Sequence, residues 1–419
     1  MPLVGRAAEI LVPARLGTGF RWLLASSWST NLGDGIATAA GPLLLASLTQ
    51  DPFLISLAAM LRWAPPLVFG LYAGVLADRH DRRRVVMAAN LARVAVLVAL
   101  IVALITGTVS VAGALLALGL LATAEVFADN TATTLTPMLV HRDDLAVANS
   151  RLQTGLLTLD QLVGPSIGAV LFTAGVGWPF AAELVLIAAG VLLVSKVVLP
   201  AHGYAAGRVG GDVRRDIVEG VRWVVHNPAV RTLVLTIMIF NVTFGAAWSV
   251  LVLYATRRLG LGAVGFGALT TVMALGGLLG TGLYGRLTRR VSLGNVMRAG
   301  LVVETLTHLA LAVTTSAGVA LVIFFVFGAH AFIWHTTSLT VRQRAVPAHL
   351  QGRVTSVNTI GLYGGLVVGS AVGGTLATHY GVTAPFWFAF AGSAVFVLLL
   401  WREMTRIAHA DDPLGAGPG

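Results

Sequence analysis

Eight charged side chains interrupt otherwise apolar stretches of this sequence: Asp34, Arg62, Arg93, Glu125, Asp129, Asp160, Glu183 and Glu304. An ionisable group within an apolar run of membrane length is costly and marks a proton or ligand pathway. Burial favours a neutral acid, and a neighbouring arginine favours the carboxylate. That competition is what a proton-coupled switch requires. Helical rise orders these groups by depth. Asp34 stands 13 residues beyond Arg21, about 20 Å along a helix. Arg62 stands 11 residues beyond Asp51, about 16 Å. Both fall near mid-membrane, so an Asp34–Arg62 pair is expected. Glu125 lies slightly below them, and Asp129, one turn lower, is level with Arg93. Asp160 completes the proton-coupling candidates Asp34, Arg62, Glu125, Asp129 and Asp160. Glu183 is expected near the outer surface with no functional role, and Glu304 with His308 as a local i, i+4 pair. His330 and His335 could titrate near neutral pH, but five residues apart they do not share a helix face, and no metal site is expected.

The elements that hold these groups are membrane spans. Of the 419 residues, 56% are hydrophobic and 11% charged, against about 25% charged in a soluble domain. Such a chain cannot cover itself with a polar surface, so the lipid bilayer is its solvent. Twelve runs long enough to cross a bilayer lie at about 22–48, 52–76, 85–106, 109–137, 147–174, 178–198, 231–256, 262–285, 293–313, 317–340, 353–378 and 383–401. Alternate connectors carry nearly all of the 28 Lys and Arg. The positive-inside rule then puts both termini in the cytoplasm of a multi-pass inner-membrane protein. It also accounts for the net charge of +10 without nucleic acid. There is no cysteine, hence no disulfide or thiolate metal site. No cleavable signal peptide is read at the N-terminus. Residues 212–226 carry Val213, Ile217, Val221, Val224 and Val225 at helical spacing opposite Arg214, Arg215 and Arg222, an amphipathic helix for the inner membrane surface.

The chain repeats internally. Gly164-Pro-Ser-Ile-Gly168 returns as Gly369-Ser-Ala-Val-Gly373, Asn31 as Asn241, and Gly74-Val-Leu-Ala-Asp-Arg as Gly285-Arg-Leu-Thr-Arg-Arg290. The halves hold six spans each and share one orientation, with substrate expected near midplane between them. The expected fold is an all-α integral membrane protein of two pseudo-symmetric six-helix bundles. Residues 1–198 form the first bundle, 199–230 a cytoplasmic linker, 231–406 the second bundle and 407–419 a disordered tail.

Between the second and third runs stands Gly74-Val-Leu-Ala-Asp78-Arg79-His-Asp-Arg82-Arg83-Arg84. It resembles the loop 2–3 signature of the major facilitator superfamily, Gly-x-Leu-Ala-Asp-Arg-x-Gly-Arg-Arg. Gly74, Leu76, Ala77, Asp78, Arg79, Arg82 and Arg83 match, and Asp81 replaces the second glycine. The resemblance implies a conformational latch at Gly74, Asp78, Arg79, Arg82 and Arg83. In it Asp78 would favour the N-terminal end of a neighbouring helix. Asn31-Leu-Gly-Asp34-Gly35, Leu145-Ala-Val-Ala-Asn149-Ser150 before Gly164-Pro165-x-x-Gly168, and Glu219-Gly220-Val221-Arg222 before Asn227-Pro228 resemble one branch. It is the drug:proton antiporter branch of macrolide efflux proteins and the enterobactin exporter. Gly164, Pro165 and Gly168 look like part of its span 5 motif. The Arg-containing span 4 motif of other drug:proton antiporters is absent, and Glu125 and Asp129 stand there instead.

As the family implies, spans 1, 4, 7 and 10 line the cavity. The candidates are Trp28, Asn31 and Phe127, then Phe240, Asn241, Phe244 and Trp248, then His330 and Trp334. Aromatic side chains with a few polar groups suit a bulky amphipathic ligand. The expected function is proton-coupled export of hydrophobic or amphipathic small molecules by a monomer without cofactor. The alternative is uptake or bidirectional exchange of a small metabolite. A non-transporting scaffold does not need so many polar groups at midplane. No phosphate-binding loop, metal cluster or nucleophile–base pair is present to support an enzyme or ATP-driven transport.

Overall fold

The computed structural model describes residues 13–199, 213–347 and 350–401. The N-terminal segment read for a signal peptide, residues 200–212 of the linker and the tail 407–419 fall outside them. Every regular element among the described residues is helical. Spans 1 to 4 are Gly17–Leu48, Pro52–Arg79, Arg82–Ile105 and Val111–Thr133. Span 5 is a continuous run of Leu145–Gly155, Leu156–Val163 and Gly164–Ala174, and span 6 is Trp178–Val194. Spans 7 to 12 are Pro228–Trp248, Ala263–Leu287, Leu293–Val313, Ala317–Ala345, Gln351–Tyr380 and Ala384–Leu400. Nine are at once long and apolar enough to cross a bilayer. Spans 6 and 12 are apolar but only 17 residues each, and span 1 is 32 residues broken by polar side chains. The linker helix is Val213–His226, where the apolar and basic faces predicted it.

The chain packs as two compact units, Met1–Leu48 with Val68–Val209, and Thr49–Leu67 with Gly210–Gly419. The boundary cuts span 2, whose first part goes with the second unit. There Trp63 stacks on Tyr363, ring centroids 6.1 Å apart.

Helix pairings repeat between the units. Span 1 packs on spans 5 and 6, and span 3 on spans 4 and 6. In the same way span 7 packs on spans 11 and 12, and span 9 on spans 10 and 12. The repeated glycines make the closest of these contacts. A Cβ on Gly164 would come within 2.6 Å of the Gly35 Cα, and one on Gly168 would run into the Ile36 carbonyl. Gly369 and Gly373 are closed off in the same way by the carbonyls of Val242 and Ala246. Small residues let membrane helices approach backbone to backbone, where dispersion contacts are densest.

Helix starts repeat too. Asp81 caps span 3 by accepting from the Arg84 N–H at 3.1 Å, and Ser292 caps span 9 through the Asn295 N–H. Ser110 and Ser316 cap spans 4 and 10. Asp81 keeps a negative φ of −58°, so the turn does not need the glycine that usually stands there. Leu156–Val163 within span 5 is π-helical. Pro165 follows it; without an N–H, proline cannot continue the α-helical ladder, and a π-bulge absorbs the register change. The antiparallel register of spans 1 and 6 is held by Ser26 and Ser29, which donate to the Gly190 and Leu186 carbonyls at 2.8 and 2.7 Å.

Candidate functional site

The register set by those serines carries Glu183 opposite Gly33, next to Asp34. Span 3 supplies Arg93 from its middle. Its guanidinium forms an ion pair with Asp34 and reaches Glu183 at 3.3 Å. It also donates to Asn90 Oδ1, one turn away on its own helix, at 3.4 Å. The cluster is buried: relative exposure is 1% at Arg93, 5% at Asp34 and 1% at Glu183. Arg93 Nε and Glu183 Oε2 have no hydrogen-bond partner within this core. One cation thus serves two carboxylates, and Glu125 on span 4 is within electrostatic reach of it.

Two expectations change here. Asp34 pairs with Arg93 of its own unit. Arg62 lies in the other compact unit, its guanidinium 5.5 Å from the ring of Trp63. Glu183 is not a bland surface acid but a partner of Arg93. Counting Cα heights misplaced both, because an arginine stem moves its charge by about a helical turn of 5.4 Å. For the same reason Arg93 is not held by Asp129, which is exposed, although the two are within electrostatic reach. Asp160 is buried on the π-helical stretch, whose backbone abuts Gly35.

A second set of groups lies in the other unit. A cavity of about 280 Å³ is lined by Phe240, Asn241, Phe244, His330 and Trp334, all expected from the sequence. Trp248 stands behind it, stacked on Phe244 with centroids 4.3 Å apart. Sequence reasoning missed Met273, Phe327, Phe332, Ser338, Asn358 and above all Glu304. Glu304 is not confined to a pair with His308. Its carboxylate lies 4.0 Å from His308 Nε2 and 3.6 Å from His330 Nε2. The repeat could have pointed to it, since Glu304 holds in span 9 the place that Arg93 holds in span 3. No group of three potential metal ligands forms among the described residues.

Other candidates are occupied within the first unit. Trp28 donates to the Arg151 carbonyl at 3.1 Å and fills the space over Gly155. Asn31 is buried, its amide 3.5 Å from Ser27 Oγ. Phe127 faces Phe69, centroids 6.1 Å apart. In the loop motif, Arg82 donates to the Ala77 and Thr134 carbonyls at 3.3 and 3.4 Å, and Arg83 to the Val197 carbonyl at 3.0 Å. These arginines tie the ends of spans 2, 4 and 6 together. The side chain of Asp78 falls outside the described residues.

The family model described as "Transmembrane secretion effector" matches residues 10–413. The chain is 28% identical over 379 residues to "Multidrug efflux pump Tap" of Mycolicibacterium fortuitum, covering 87% of this chain and 90% of that protein. It is 25% identical over 195 residues to "Macrolide efflux protein A" of Streptococcus pyogenes, covering 46% and 47%. Among solved structures it resembles a bacterial homologue of the iron transporter ferroportin in an inward-facing state. The TM-score is 0.73 at 17% identity, over 93% of this chain and 98% of that one. The nucleoside transporter NupG gives a TM-score of 0.69 at 14% identity, over 93% and 99%. These structures share the fold. With its two repeated helical units, the chain belongs to the transmembrane secretion effector family, whose model spans residues 10–413, and has the fold of these membrane transporters.

Proposed function

We propose that this transporter exports hydrophobic or amphipathic small molecules by alternating access, driven by protons entering the cell. The reading is supported by the likeness to a multidrug efflux pump and, over about half the chain, to a macrolide efflux protein. The observation that carries the coupling is the single guanidinium of Arg93 between the buried carboxylates of Asp34 and Glu183. One cation balances one carboxylate. The second is neutral only when it holds a proton, because an uncompensated buried charge is strongly destabilising. Proton arrival and departure therefore change how tightly span 3 is held to spans 1 and 6. A transporter couples two ligands when both bias the same two-state element. Asp160 and Asp129 are the further acids through which the proton would leave or enter. Aromatic lining in the second unit supports a substrate of low polarity. Asp78 is proposed to bias the two states from the cytoplasmic surface, outside the substrate path.

The test is transport in proteoliposomes of purified protein under an imposed pH gradient, with a panel of dyes and antibiotics. Accumulation that requires the gradient and collapses with a protonophore supports the reading. Transport indifferent to the gradient would remove proton coupling, and accumulation of polar metabolites alone would make this an uptake or exchange carrier.

A further inference from the structure

We infer that Glu304 is the charge-recognising residue of a substrate subsite within the second unit, and that the subsite takes an aromatic organic cation, an amine or quaternary ammonium. The inference rests on the transport reading above and names the substrate class.

Glu304 stands twelfth of the 21 residues of span 9, at mid-membrane. Its side chain keeps 12% of its surface accessible, and it lines the cavity. No lysine or arginine pairs with it among the described residues. Its polar neighbours are two imidazoles, at 3.6 and 4.0 Å, both beyond a proper hydrogen bond. A carboxylate held at that depth that faces imidazoles but no lysine or arginine can accept an organic cation.

The rest of the lining fits the other end of such a ligand. Phe240, Phe244, Phe327 and Trp334 surround the same space. Aromatic faces attract organic cations and accept their flat ring systems. The Trp334 Nε1 and Asn358 Oδ1 atoms are buried without hydrogen-bond partners, as are both ring nitrogens of His308. Trp334 and Asn358 line this cavity, so an acceptor and a donor on the ligand would each find a mate. Buried polar atoms are normally paired, and unpaired ones call for an explanation.

Two competing features do not cancel the site. Arg342 also lines the cavity, but it is 12 residues beyond His330 on span 10, about 18 Å along the helix. No ion pair joins it to Glu304 among the described residues. A metal ion is a poorer occupant than an organic cation, since no three-ligand set forms among the described residues and the walls are largely apolar.

The experiment measures binding rather than transport, using purified full-length protein in detergent with no proton gradient. Ethidium, a permanent aromatic cation, is titrated by its fluorescence, and Nile red serves as an uncharged control. Glu304→Gln is expected to weaken ethidium at least about tenfold, roughly 1.4 kcal/mol. Nile red binding should stay unchanged, and Glu304→Asp should keep most ethidium affinity. A second measurement uses the wild-type chain alone. Dicyclohexylcarbodiimide labels carboxyl groups in apolar surroundings, and ethidium should protect Glu304 from it, read by mass spectrometry of the peptide carrying that residue. Ethidium affinity unchanged in Glu304→Gln, or labelling of Glu304 unaffected by ethidium, overturns the inference. Binding with the expected charge preference but without pH-driven transport upholds the subsite and defeats only the coupling.

Discussion

Arg93 and Glu183 lie 90 positions apart in the chain and 3.3 Å apart in the structure, joined in the middle of one helical unit. Asp34 closes the cluster from the other side. Neither carboxylate can be removed without changing the charge balance of the other. Asp34→Asn is therefore expected to reduce pH-driven transport to the level of protein-free liposomes while leaving ligand binding intact. Glu183→Gln should impair it severalfold. Initial rates in proteoliposomes at matched protein density decide this. Full gradient-driven transport by Asp34→Asn would take Asp34 out of the mechanism and leave Glu125 or Asp129 as carrier.

Stability separates the cluster's structural share from its coupling role. Arg93→Met leaves two buried carboxylates without a cation, and breaking a buried pair in this way costs about 3–5 kcal/mol. The melting temperature in detergent should drop sharply. Adding Asp34→Asn and Glu183→Gln removes the stranded charges and should restore most of the loss, with transport still absent. A triple variant that melts no higher than Arg93→Met would show that the cluster's charges are not what limits stability.

The glycine contact between spans 1 and 5 leaves no room for a side chain. Gly168→Leu should destabilise by at least about 1–3 kcal/mol, the range for overpacked interiors. Gly373→Leu should do the same at the matching contact of spans 7 and 11. Yield of monodisperse protein and its melting curve report the effect. A Gly168→Leu protein as stable as wild type would mean that the two helices do not meet backbone to backbone.

Asp81 permits a finer test of the loop. As the cap of span 3, it should tolerate glycine at a cost of a few tenths of a kcal/mol, and Asp81→Ala should cost about 1 kcal/mol. Hydrogen exchange at residues 82–85 compares the two. Equal protection in both variants would deny Asp81 its capping role.

The absence of cysteine makes single-cysteine labelling free of background. Ser110 and Thr315 are exposed ahead of spans 4 and 10, and Arg290 is exposed ahead of span 9. In intact cells an impermeant thiol reagent should modify Ser110→Cys and Thr315→Cys but not Arg290→Cys. The reverse pattern would invert the proposed orientation.

What could be read from the sequence follows from what short-range physics encodes. Apolar runs and the Gly164/Gly369 repeat carry the twelve helices and their pairing, because length and small residues act locally. Phe240, Asn241, Phe244, His330 and Trp334 are legible because the family resemblance implies that spans 7 and 10 line the cavity, and they are among the aromatic and polar residues of those spans. The Asp34–Arg93–Glu183 cluster was not found, because it depends on the rotation of three helices and the reach of one long side chain. The serines that set the register of spans 1 and 6 hold that information. Ser26, Ser29, Leu186 and Gly190 announce nothing until the helices are side by side. Glu304 reads in the sequence as a local pair with His308, because its contact with His330 on span 10 depends on how spans 9 and 10 pack.

Span 2 is a single helix, Pro52–Arg79, that changes allegiance between Leu67 and Val68. Pro65 and Pro66 stand immediately before that point. Neither can donate a backbone hydrogen bond, so the carbonyls of Leu61 and Arg62 lose their usual partners four residues on. Two adjacent rungs of the helix are missing where the chain passes from one body to the other. Mechanically this is a compliant coupling: a rod stiff at both ends with a soft joint in between. Bending there breaks no bond that was present. The positions of the two prolines in the sequence fix where span 2 can bend without losing a hydrogen bond.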